Sequence, residues 1–446
     1  MGNMGARDES KNLVEPIKPV GANERKGPIS RRKALGLALA GVGACLLPCR
    51  VAGARTVDDY AKNPGILDGH TLSGNYPGLT LKNVTLKRST FKNANLDGLN
   101  FKDMRFENCL FDEINTKEAQ FTRCIFKRCK FVNTHIRDSV FTDVIFSNGI
   151  FTYRGLPISV NYNGTTHIRE SKFNNVIFDK FEFDNHEMYM ISGTATFKNL
   201  NISVDEGSGA IIIGNNLFLR VDNCFVENWI FCSLGRNSTL YATNCKLIKS
   251  SFSGNNECKL FYVENCEIIG GIGAPELLIV KNCKIRGDFG GGKASYIVNT
   301  EFIPSESGGS SGSDGDENSH MYIFGGGPLI RVRFDGGSVS LYDVELTPAW
   351  FAYSMPTLNM KNVRINGGDW ANSEVINGQW ENVQIYPNVY VSDETTLWGD
   401  IKVRNVTFPE GSPWKEGRGV TLVESKTPFV WPEIKIPTPE ELGLVK

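Results

Sequence analysis

Fifteen positions spaced five apart run from Leu81 to Phe151, and all but Thr116 are apolar. An amphipathic helix needs apolar residues three and four apart, and a half-buried strand needs every second one, so neither accounts for a sustained five. In the segment "FKRCKFVNTHIRDSVFTDVIF" the large positions are Phe126, Phe131, Ile136, Phe141 and Phe146. Two residues before many of them stands something smaller, such as Val84, Ala94, Cys109, Cys124, Cys129 or Ser139. A five-residue unit that cannot bury its apolar side alone must stack on its neighbours to do so.

This small, x, large, x, x pattern resembles that of the pentapeptide-repeat family. The resemblance implies an all-β, right-handed parallel β-helix of nearly square section, with one unit per side and four units per coil. Residues 20 apart then lie one above the other. In that register Phe91, Phe111, Phe131 and Phe151 share one face, Phe101, Phe121 and Phe141 a second, and Phe106, Phe126 and Phe146 a third. Leu96, Thr116 and Ile136 make a fourth face without aromatics. Rings separated by the strand spacing of about 4.8 Å stack along the axis, so the five-residue period is a core.

The pattern breaks at "TYRGLPISVNYNGTTHIRES", which reads as a looped excursion, and resumes at Phe173, Phe178, Phe183 and Met188. Beyond it a looser signature recurs, as in "VDNCFV", "VENCEI", "MKNVRI" and "VRNVTF". Its fourth residues are Cys224, Cys245, Cys266, Cys283, Thr300, Val344, Val363, Val383 and Val406. They preserve one side of every coil, and the gap after Thr300 holds one extra coil around Val332. Asparagine precedes most of these residues, from Asn223 to Asn405, and a stacked Asn ladder at a corner is structurally sensible because Asn tolerates turn conformations. The organisation expected is an export signal over 1–54, a cap over 55–65, regular coils over 66–155, and looser coils over 156–410 interrupted by a loop at 304–320. A Pro-rich cap or tail over 411–446 follows, with Pro428, Pro432, Pro437 and Pro439 suiting an extended segment packed on the last coil.

The first segment has a polar start, an apolar run from Ala34 to Pro48 and the small-residue cleavage site Ala52-Gly53-Ala54. The run is too short to span a membrane. Ser30-Arg31-Arg32-Lys33-Ala34-Leu35 resembles a twin-arginine signal, with Ala34 in place of the usual Phe. Arg50, between the run and the cleavage site, disfavours the general secretory route. Val42-Gly43-Ala44-Cys45 also fits a lipoprotein box, and lipidation at Cys45 would anchor the protein to a membrane. Otherwise the expected location is periplasmic or extracellular. Nine of the 48 basic and four of the 49 acidic residues precede Arg55, which leaves 39 and 45 and a formal charge of −6.

Some pentapeptide-repeat proteins bind DNA topoisomerases by presenting an acidic surface like that of duplex DNA. Residues 76–155 here carry 13 Lys/Arg against 8 Asp/Glu, the wrong sign for such a mimic, and no nucleic-acid partner is expected. The cysteines stack in a ladder, whereas zinc wants thiolates converging on one point. They read as buried thiols, with disulfides between rungs as the alternative. "DGDENSH" is similar to the start of a calcium loop, but Ser319 and Gly325 occupy its glycine and glutamate positions, and a solvated loop is the reading. No metal or cofactor is expected.

Glycoside hydrolysis needs two carboxylates flanking one bond. The best local candidates, Asp288 in "RGDFGGG" and Asp369 in "NGGDW", lie several coils apart, and His70, His135, His167, His186 and His320 are scattered. Trp380 falls at an inward position, whereas Trp370, Trp398 and Trp414 stand beside Gly or Pro and are candidates for a stacking platform. The function expected is that of an exported, non-enzymatic binding or scaffold protein meeting a protein or polysaccharide partner through its lateral surface. The alternative is a polysaccharide lyase or glycoside hydrolase working in a groove of the later coils.

Overall fold

The computed structural model describes residues 65–152, 168–183, 189–203, 210–228, 230–254, 257–273, 275–290, 292–303, 310–311, 319–326, 329–330, 332–335, 337–391, 396–397, 400–408, 410 and 421–445. The expected export signal, most of the expected N-terminal cap and residues 314–318 of the calcium-like segment lie outside them. The described residues contain no helix. Their strands pair in parallel with the strands one coil before and one coil after, which makes an all-β parallel β-helix.

The 20-residue register holds residue by residue: Phe106 pairs with Phe126 and Phe126 with Phe146, while Phe91, Phe111, Phe131 and Phe151 form their own column. Ring centroids lie 4.5 Å apart for Phe106 and Phe126 and 4.8 Å apart for Phe126 and Phe146, with planes within 8° of parallel. Phe101 and Phe121 depart from this, meeting edge to face at 6.0 Å. On the fourth side Thr116 keeps its polar group satisfied, its hydroxyl donating to the Leu96 carbonyl at 2.7 Å. Ile136 pairs with Ile168, 32 residues on, so the excursion adds to one coil without breaking the stack.

A five-residue unit works because it contains one short strand and one sharp corner. The corner residue directly before each small inward residue has φ near +50°, as at Arg88, Glu118, Arg128 and Asp143. In the later coils it is mostly Asn, which tolerates this left-handed region better than most residues. Those side chains bond along the axis: Asn223 Nδ2 donates to Asn199 Oδ1, Asn382 Nδ2 to Asn362 Oδ1 and Asn405 Nδ2 to Asn382 Oδ1, each at 2.8 Å.

One inward column runs through the chain from Leu67 by way of Phe106, Phe146, Phe197, Val263 and Ile323 to Val403. Beside it the thiols of Cys245, Cys266 and Cys283 stack, with the Cys245 amide donating to Cys266 Sγ at 3.3 Å and the Cys266 amide to Cys283 Sγ at 3.4 Å. The extra coil after Thr300 is present and includes Val332, which is buried on a different side. The place in the Cys/Val column belongs to Gly326, where a Cβ would come within 2.7 Å of the Thr300 carbonyl oxygen.

Candidate binding surfaces on the flank

The outward positions of the later coils are unusually apolar on one side. Strands Thr239–Thr243, Leu260–Glu264, Leu277–Lys281, Ala294–Val298 and His320–Phe324 align in register. Their second and fourth residues face the core, and their central residues, Tyr241, Tyr262, Ile279, Tyr296 and Tyr322, form the outer column. A strand that is apolar on both faces is one that is covered on both.

The cover is the chain's own C-terminal segment. From the coil of Val403, whose carbonyl accepts the Ser425 amide at 2.9 Å, the tail turns back along the flank. Trp431 Nε1 donates to Glu381 Oε2 at 2.6 Å, and its ring meets Tyr342 edge-on at 5.6 Å beneath Lys361 Nζ. Further back, Leu444 is buried among Tyr241, Leu260, Tyr262 and Ile279, with Ile436, Leu442 and Val445 around it. The tail is therefore a strap along the flank rather than a lid on the last coil. The apolar column offers it far more surface than the rim of one coil does.

Glu381 anchors the strap. It is buried, and Arg404 Nη1 donates to its Oε1 at 2.5 Å. Burial pushes its carboxyl up, but hydrogen bonds from Trp431, Arg404 and the Phe429 amide outweigh that and hold it below the usual carboxylate range.

A second outward column is left open. Ala349 pairs with Gly368 and Gly368 with Val389, so the next residues, Trp350, Asp369 and Tyr390, stand one above another on successive coils. Their neighbours Ala349, Phe351 and Val389 are buried, whereas Trp350 and Asp369 are half-buried and Tyr390 is 63% exposed. Gly368 makes the approach possible: its φ is +116°, and a Cβ there would stand 1.8 Å from the Ala349 carbonyl oxygen. Asp369 Oδ1 is buried without a hydrogen-bond partner among the described residues. That burial raises its pKa above the ordinary aspartate value.

Of the three candidate tryptophans, the described residues include one. Trp370 lies in strand Gly368–Ile385, its backbone in register with Phe351 and Val391, and Trp398 and Trp414 fall outside the described residues. Trp380 is fully buried, its indole donating to the Leu358 carbonyl at 3.1 Å. His320 stacks on Tyr322 at 4.1 Å with Nε2 3.0 Å from Ser340 Oγ, and burial lowers its pKa. Among the described residues no three His, Cys, Asp or Glu side chains converge as metal ligands would. Trp350 and Tyr390 were legible as aromatics beside Pro348 and Pro387, but the register that sets them around Asp369 depends on coil lengths.

This is the construction of a parallel β-helix with long lateral faces, one closed by its own strap and one open. A family model described as "SV2A/B/C luminal domain" matches residues 71–151. No curated protein matches. Among solved structures, the chain is similar to HetL, a pentapeptide repeat protein involved in heterocyst differentiation regulation from the cyanobacterium Nostoc sp. strain PCC 7120. That match has 9% identity and a TM-score of 0.21, and covers 54% of this chain and 82% of that one. It is also similar to a trypsin-treated form of QnrB1, a plasmid-mediated fluoroquinolone resistance protein. There the identity is 15% and the TM-score 0.14, over 46% of this chain and 80% of that one. At these identities the likeness is one of fold alone.

Proposed function

We propose that the mature chain is an exported, non-enzymatic binding or scaffold protein that meets a protein or glycan partner through its flank, in the periplasm or outside the cell. The observation that carries this reading is the open Trp350–Asp369–Tyr390 column beside a face that already holds an extended segment, the chain's own tail. Side chains held at a fixed spacing on successive coils suit an extended partner better than a compact one. The match of residues 71–151 to a model described as a luminal domain is in keeping with export. Trp370, Trp398 and Trp414 belong to the proposal as further contact residues.

One observation favours the alternative of a polysaccharide lyase or hydrolase: Asp369 has a carboxyl whose pKa burial raises, as a general acid requires. Hydrolysis also needs a second carboxylate within about 10 Å. The two readings separate when the mature protein, starting at Arg55, is incubated with a panel of neutral and acidic polysaccharides. Retention on a glycan during affinity electrophoresis, with no new reducing ends and no unsaturated products, is the expected result. Appearance of either product contradicts it.

A further inference from the structure

The geometry points to a saccharide-binding subsite on this column, in which Trp350 and Tyr390 stack against the first and third of three rings of a neutral, β-linked oligosaccharide and Asp369 takes a hydroxyl of the ring between them. The inference rests on the binding reading above and narrows it to a ligand class and three residues.

Pairing of Trp350 with Asp369 and of Asp369 with Tyr390 places the two aromatics two rungs apart, about 10 Å at the parallel-strand spacing. Between them lies a polar group, so the column alternates apolar, polar, apolar along the axis. A β-linked glycan can meet such a column, since each flat ring offers C–H groups on its faces and hydroxyls at its edges. Aromatic faces take the first and hydrogen-bonding groups take the second. Tyr390 is exposed enough to meet a ring directly, and Trp350 is half-buried, which holds its indole in place.

Asp369 gives the column its direction. Its side chain is half-buried, with Oδ1 enclosed and without a hydrogen-bond partner among the described residues, so the carboxyl group keeps hydrogen-bonding capacity that a ligand hydroxyl can use at its exposed side. A carboxylate beside the ligand repels an anionic glycan, so a neutral glycan is the better fit to this column. The backbone beneath is fixed, because the chain enters strand Gly368–Ile385 through a glycine pressed against the Ala349 carbonyl, where no other residue fits. A segment held that closely presents its next side chain at a set height.

The test uses the mature protein with cellohexaose and chitohexaose as probes and hexagalacturonate as the charged comparison, read by isothermal titration. At least one neutral probe is expected to bind more tightly than hexagalacturonate. Tyr390→Ala and Asp369→Ala should each weaken that binding tenfold or more, while Asp369→Asn, which keeps a hydrogen-bonding oxygen, should stay within threefold. Trp350→Phe, which keeps a ring, serves where Trp350→Ala impairs folding, and it should weaken binding less than Tyr390→Ala. Failure of both neutral probes to bind overturns the subsite, as does binding that Tyr390→Ala and Asp369→Ala leave unchanged. Either result spares the broader reading if the polysaccharide panel still shows retention without cleavage.

Discussion

At the scale of single residues, two features of the coil carry testable costs. Asn382 sits at φ +56°, donates to Asn362 and accepts from Asn405. Asn382→Ala therefore loses two hydrogen bonds and leaves the left-handed corner to a residue that tolerates it less well than Asn, at a cost of about 2–3 kcal/mol. Asn382→Gly relieves the backbone and should recover part of that loss, but not all, in urea denaturation. If the two variants are equally stable, the corner conformation contributes nothing. The cysteines give the second test. All nine that follow Arg55 are buried free thiols, and burial pushes Cys124 up to about 12 and Cys258 up to about 11. Reaction with a thiol reagent at pH 8 should be negligible in the native protein and should reach nine equivalents in denaturant. A lower total after denaturation would mean disulfides between rungs.

At the scale of elements, the C-terminal strap is held at one end by a carboxylate and along its length by apolar packing. Glu381 has a folded pKa below the unperturbed value of 4.5, so its contribution is complete above that value and is lost as pH falls through the lower folded one. Tail amides around Phe429 and Trp431 should thus lose protection as the pH falls below 4.5 and through the lower folded value, before the coils loosen. Glu381→Gln should produce the same release at neutral pH, seen as tryptic cleavage at Lys426 or Lys435 that the wild type resists. A tail equally protected in both proteins would show that Leu444 and its apolar neighbours hold it unaided. The strap also marks where sequence reasoning stopped. Prolines at 428, 432, 437 and 439 announce an extended segment, but its destination depends on Tyr241, Tyr262 and Ile279 lining up, and these are separated in the sequence by whole coils of unequal length. A tyrosine at the centre of "TLYAT" and "LFYVE", where a polar residue belongs on a solvated face, was the available signal.

At the scale of the whole molecule, the regular coils were legible because a five-residue period leaves a single register, and Phe91 to Phe151 stack as that period requires. The looser coils were legible on the side marked by Asn-Cys and Asn-Val, and much less on the others, where coil lengths vary and no residue type repeats. That is why the Cys ladder was readable and the Trp350–Asp369–Tyr390 column was not. The proposed export segment belongs to this scale too. A stack of coils with its thiols inside is cargo suited to folding before it crosses a membrane, which is what twin-arginine transport accepts. Replacing Arg31 and Arg32 by lysine should leave the precursor in the cytoplasm and abolish the form beginning at Arg55, as fractionation and amino-terminal sequencing would report. Continued export and cleavage after Ala54 would favour the general secretory route, and a lipid-modified Cys45 at the amino terminus would make the protein membrane-anchored.

If the flank of the later coils is a glycan-binding face, hydrogen–deuterium exchange shows it directly. Exchange is measured on the mature protein alone and with each polysaccharide of the panel in excess. The account predicts that at least one glycan slows exchange in strands Ala349–Ile365, Gly368–Ile385 and Val389–Val391, with the regular coils before Phe151 unchanged. Unchanged exchange in all three strands with every glycan, or slowing confined to the coils before Phe151, would contradict it.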